Sequence, residues 1–154
     1  MGRLVVVILA LVLAAPVAAA HERCRHVHAA LTAQLSTASC ASPFGLCTTG
    51  ELRGDLHGAT SFTVLTLAAS AGLGTQEPAS TLSYLGSFVL TTREGTLTVS
   101  DVGLLDGANG AFTEIWRVTG GTGDLAGATG TMWLSGTTSA TGAFDGTVTG
   151  QICD

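Results

Sequence analysis

The chain has 154 residues, of which 21 are glycine and none is lysine, and it carries only 11% charged residues with a formal charge of −5. Its mean hydropathy is +0.48. This length supports one domain at most, and the acidic balance disfavours a nucleic-acid or anionic-membrane partner.

Residues 1–20, MGRLVVVILALVLAAPVAAA, begin with basic Arg3, run apolar from Leu4 to Ala15, and close on Pro16 and the small residues Ala18, Ala19 and Ala20. That is the pattern of a secretory signal peptide cut after Ala20, and the apolar run is short for a membrane span. A secreted or periplasmic location follows, with no membrane attachment once the signal is removed. Cys24, Cys40, Cys47 and Cys153 all lie downstream of the cut. In an oxidising compartment an even count reads as two disulfides, with three possible pairings.

Residues 21–46 read as an N-terminal arm. Val27, Leu31 and Leu35 recur at helical spacing, which predicts one short amphipathic helix within 25–38 or else a loosely packed arm. The arm also holds His21, His26 and His28. A terminal histidine can chelate copper through its amine and imidazole, but such sites need a further histidine from a packed scaffold. The cluster reads as adventitious, and no metal or other cofactor is expected.

From Thr48 onward, runs of Thr, Val, Leu and aromatic residues alternate with period two between glycine-rich breaks. Leu52 and Leu56 share one face, with Glu51, Arg53, Asp55 and His57 on the other; Phe144, Val148 and Ile152 repeat the pattern near the end. Strands are predicted near 50–57, 60–68, 82–92, 96–104, 111–119, 130–137 and 143–153, with an eighth if one run splits. Short connections such as "REG", "LDGANG" and "TSATG" join several as antiparallel hairpins. One apolar face on seven or eight strands leaves a barrel or a sandwich. Gly146 and Gly150, on the inward face of the last strand, permit the sharp coiling a barrel needs.

The segment "RVTGGTGDLAGATGTMWLSG", Arg117–Gly136, contains a glycine pattern that superficially fits a dinucleotide-binding turn. That turn binds phosphate only where a strand leads through the glycines into a helix. Here "GTMWLSG" follows, short and rich in strand formers, so the glycines connect two strands. No Ser-His-Asp order, paired C-x-x-C or heptad run appears in the sequence.

With "GAFTEIW" before it and a glycine-rich closing strand after it, the stretch "VTGGTGDLAGATGTMWLSG" resembles the barrel core of the allene oxide cyclase and dirigent-protein group, in particular its secreted bacterial relatives of unassigned function. The resemblance extends over roughly Cys47 to Cys153. It implies an all-β, calycin-like fold, a closed antiparallel barrel of about eight strands over 47–154 with a central cavity, to which the spacing read above adds the short N-terminal helical arm. It also implies assembly as a homo-oligomer, commonly a trimer. Members of the group isomerise or cyclise reactive small molecules, mainly by shaping an apolar cavity around them. Their catalytic polar residues do not align onto this chain, so candidates must come from the residues themselves.

Two carboxylates fall on apolar stripes: Asp101 with Leu97 and Val99, and Glu114 with Phe112, Trp116 and Val118. A hairpin symmetric about the midpoint of Gly107 and Ala108 sets Asp101 opposite Glu114. Two facing carboxylates in a dry cavity cannot both ionise cheaply, so the pair is the candidate proton donor and acceptor. The alternative is that they lie in water at the barrel mouth or pair with Arg53 or Arg93. Trp116, Phe112 and the single tyrosine, Tyr84, are the candidate ligand contacts, while Ile115 and Trp133 fall outward, as at a subunit interface. Closure of such a barrel pairs the first strand with the last, which favours Cys47–Cys153 and Cys24–Cys40. The rival scheme is Cys40–Cys47 with Cys24–Cys153. Two functions compete: a secreted barrel that binds a small apolar molecule and isomerises or cyclises it, and a non-catalytic extracellular structural or binding module.

Overall fold

A computed structural model of the chain describes residues 23–70 and 80–153. Residues 1–20, read above as a signal peptide, and His21 lie outside the described residues. Eight strands, β1 (Cys24–Ser36), β2 (Cys47–Gly54), β3 (Gly58–Ala69), β4 (Thr81–Thr91), β5 (Thr96–Asp106), β6 (Ala111–Gly121), β7 (Thr129–Thr138) and β8 (Ala143–Cys153), form a closed barrel. Each strand pairs antiparallel with the next, and β8 returns to β1. Alternation drives this arrangement: β6 reads exposed and buried in turn along its length, with Phe112, Glu114, Trp116 and Val118 inside. Closure then buries one face of every strand and leaves no edge.

The expected N-terminal helix is a strand. Val27, Ala29 and Leu31 are buried along β1 and alternate with exposed His26, His28 and Ala30. The four-residue spacing of Val27, Leu31 and Leu35 fits a strand as well as a helix, because four is a multiple of two. Domain boundaries move accordingly: the barrel begins at Cys24 rather than Cys47, and β1 supplies the eighth strand without any run splitting.

The disulfides change for the same reason. Cys24 bonds Cys153, and Cys40 bonds Cys47, so the favoured scheme of Cys47–Cys153 with Cys24–Cys40 is corrected. First strand does meet last strand, but the first strand is β1, which places Cys24 directly opposite Cys153. Cys40 and Cys47 staple the β1–β2 connection. Two such bonds are compatible with an oxidising environment.

The glycine-rich stretch joins β6 to antiparallel β7 through one 3-10 turn, Gly123–Leu125, and no helix follows. Leu125 from that turn is buried in the core. With Leu56, Leu90, Leu97, Met132 and Ile152 it fills the end of the barrel that carries the 55–57, 92–95 and 122–128 connections. Among the described residues no helix is long and apolar enough to cross a membrane.

Candidate functional site

Above that packed end the barrel encloses a cavity of about 270 Å³. Its floor is Phe88 on β4 and Trp116 on β6, whose ring centroids lie 4.1 Å apart. From there it runs to the opposite end, where Leu35, Leu46, Leu67, Leu82 and Ser139 line it.

The lining is mainly apolar, and Glu114 is its one carboxylate. Glu114 is 8% exposed. The Tyr84 hydroxyl donates to its Oε1 at 2.6 Å, and the Trp116 indole N–H donates to its Oε2 at 2.6 Å. Trp116 can do so because residues two apart on a strand share a face. Tyr84 reaches from farther off: it pairs with Gly103 on β5, and Gly103 in turn pairs with Glu114 on β6. A side chain at Gly103 would overlap the Tyr84 ring and hydroxyl. The same device recurs one level deeper, where the Phe62 ring occupies the space a side chain at Gly86 would need.

Asp101 sits beside this cluster without joining the cavity wall. It pairs with Gly86 and with Trp116, not with Glu114. The β5–β6 hairpin is centred between Ala108 and Asn109, with Gly110 in the left-handed region at φ +76°, so the register differs by two residues from the symmetric reading. A two-residue slip preserves the face. Both carboxyls still point inward, as diagonal neighbours. Asp101 is 1% exposed, and neither of its oxygens makes a hydrogen bond. It stands near enough to Glu114 and Trp116 to feel them, but not in hydrogen-bonding geometry with either.

Burial first, and then the nearby Glu114 charge, push the Asp101 carboxyl up to about 9. Burial also raises Glu114, against the opposing pull of the Tyr84 hydroxyl and the Trp116 N–H. Tyr84 is raised beyond the ordinary phenol range by burial and by Glu114. Asp101 therefore keeps its proton at neutral pH. Glu114, which lines the apolar cavity and whose proton affinity burial raises, can exchange a proton with a molecule held against it.

Of the residues singled out by sequence, Glu114, Tyr84, Trp116 and Phe112 line one cavity, and Asp101 lies behind it. Arg53 pairs with Glu51 on the surface, and Arg93 is exposed, so neither reaches the carboxyls. His26 and His28 lie on the exposed face of β1. Sequence reasoning missed Gly103 and Phe62. Gly103 interrupts an apolar stripe between Asp101 and Leu105, and that gap was the available signal.

Outside, Leu85, Val102, Ile115 and Trp133 are directly paired across β4, β5, β6 and β7, and are 44%, 51%, 49% and 52% exposed. Ile115 and Trp133 thus face outward as parity predicts, within a longer apolar row. No protein-family model, curated protein or solved structure matches the chain.

Proposed function

We propose that this protein is a secreted, calycin-like barrel that holds a small, mainly apolar molecule in its cavity and steers its isomerisation or cyclisation, as in the allene oxide cyclase and dirigent group that its sequence resembles. One observation carries the reading: a carboxylate with two hydrogen-bond donors is fixed against an otherwise apolar cavity. Pockets of this kind, mostly apolar with a few convergent polar groups, are where small molecules bind. In an isomerisation Glu114 takes a proton from one atom of the bound molecule and returns it at another, so the step needs no co-reactant.

A non-catalytic binding module is the second reading. It is favoured by the fact that both Glu114 oxygens are already engaged by Tyr84 and Trp116. Association of the barrel with copies of itself through the Leu85–Trp133 row, as a trimer in the resembled group, belongs to either reading.

Native mass spectrometry of the secreted protein tests the proposal. A co-purified small molecule, transformed by the wild type and returned unchanged by Glu114→Gln, supports steering. A ligand carried unchanged by both proteins supports the binding module, and a barrel that neither carries nor takes up any small apolar molecule overturns both.

A further inference from the structure

The deep end of the cavity can accept hydrogen bonds but has none to give. An ionised carboxylate offers about four lone-pair positions, and on Glu114 Tyr84 and Trp116 fill one on each oxygen. The same two bonds use up the Tyr84 O–H and the Trp116 N–H. Around them the wall is Phe62, Phe88, Phe112 and Leu134, which have no donor. Thr48, Thr138 and Ser139, whose hydroxyls could donate, lie at the strand ends and the connection that border the far end.

The ionisable groups are equally one-sided. The carboxyls of Glu114 and Asp101 are both buried, whereas every arginine and histidine among the described residues is exposed and the chain has no lysine. Buried carboxyls are ordinarily matched by a cation or a full set of donors. Here the protein supplies two donors for two carboxyls, and both go to Glu114.

We infer that the ligand of this cavity is a protonated amine with a small apolar body, its ammonium group seated on Glu114. The inference rests on the reading of the cavity as a small-molecule site and names the class of molecule. An ammonium brings the donors and the positive charge that the deep end lacks. Rings of Phe62, Tyr84, Phe88, Phe112 and Trp116 line the same space, and aromatic faces attract cations. A cavity of about 270 Å³ lies at the lower limit of small-molecule pockets and suits a body of about one ring. A divalent metal fits poorly, because hard cations take about six oxygen ligands and the described residues bring together no group of three or more His, Cys, Asp or Glu side chains.

Calorimetry on the secreted protein at pH 7 tests this with three probes that share a phenyl ring: 2-phenylethylamine, 2-phenylethanol and 3-phenylpropionate. The amine should bind roughly ten- to a hundredfold more tightly than the alcohol, the range expected for a hydrogen bond to a buried charge, and the carboxylate should bind weakest. Glu114→Gln should remove the preference for the amine over the alcohol. Binding of the alcohol or the carboxylate as tight as that of the amine overturns the inference and leaves the cavity reading standing. Failure of all three to bind at millimolar concentration overturns both. The three-way comparison uses the unaltered protein, so it decides the matter even if Glu114→Gln does not fold.

Discussion

Tyr84 and Glu114 stand two strands apart, and their hydrogen bond crosses β5 at Gly103. The phenol lies where the side chain of that residue would be. Glycine in a strand interior ordinarily weakens it. At this position it is the slot that carries a hydroxyl to the cavity acid, so Gly103 positions the site without touching anything bound there.

Replacing Gly103 with Ala should therefore displace the Tyr84 ring and cost about 1–3 kcal/mol, the usual range for overpacking a core. The cost should be largely relieved in the Gly103→Ala/Tyr84→Ala double variant relative to the sum of the singles, because the clash partner is gone. Urea unfolding of the four proteins measures the coupling. Additive costs would mean that the ring does not occupy the slot.

The pH dependence of stability has a definite sign. Folding raises Asp101 from the usual carboxyl value of about 4 to about 9, so between those values the folded protein holds a proton that the unfolded chain has lost. Stability from this group is fully present below about pH 4 and is lost as pH rises toward about 9. Glu114, also raised, acts in the same direction. The urea midpoint of the wild type should fall from pH 5 to pH 8, and that of Asp101→Asn should fall less. Equal slopes in the two proteins would remove Asp101 from the account.

The two disulfides should contribute unequally. Cys24–Cys153 closes a separation of 129 residues and Cys40–Cys47 one of 7. In the chain-entropy model these are worth about 5 and about 2 kcal/mol. Serine pairs at each bridge, compared by denaturant unfolding, should show the larger loss for Cys24 and Cys153. Peptide mapping without reductant should recover Cys24 joined to Cys153.

Self-association through the outer row should be sensitive to one charge. Arginine in place of Ile115, inside the row, or of Trp133, at its β7 end, sets a cation among four paired apolar residues, and desolvating it on association is costly. Sedimentation should show the variant as a monomer under conditions where the wild type associates. A monomeric wild type at tens of micromolar would end the proposal.

Much of this was legible in the sequence because a strand's period is short. Parity alone puts Phe112, Glu114 and Trp116 inside and Ile115 and Trp133 outside, and parity survives the two-residue error in the β5–β6 register. What parity cannot supply is which inward residues meet. The Tyr84–Glu114 bond depends on two successive registers and on a missing side chain between them, and the Asp101–Glu114 opposition failed because the left-handed Gly110 moves the centre of the turn. The strand β1 was hidden by composition. Its inward set, Val27, Ala29, Leu31, Ala33 and Leu35, alternates large and small, so the large residues alone mimic a helix.

The bond between Cys24 and Cys153 gives the described barrel the connectivity of a ring. A single backbone cut at any connection between these cysteines leaves one covalent molecule whose new termini lie at that connection, with the old ones still tied. Such a nicked barrel is the natural equivalent of a circular permutant. After such a cut the fragments on either side are held in register by both the sulfur bridge and the continuous sheet.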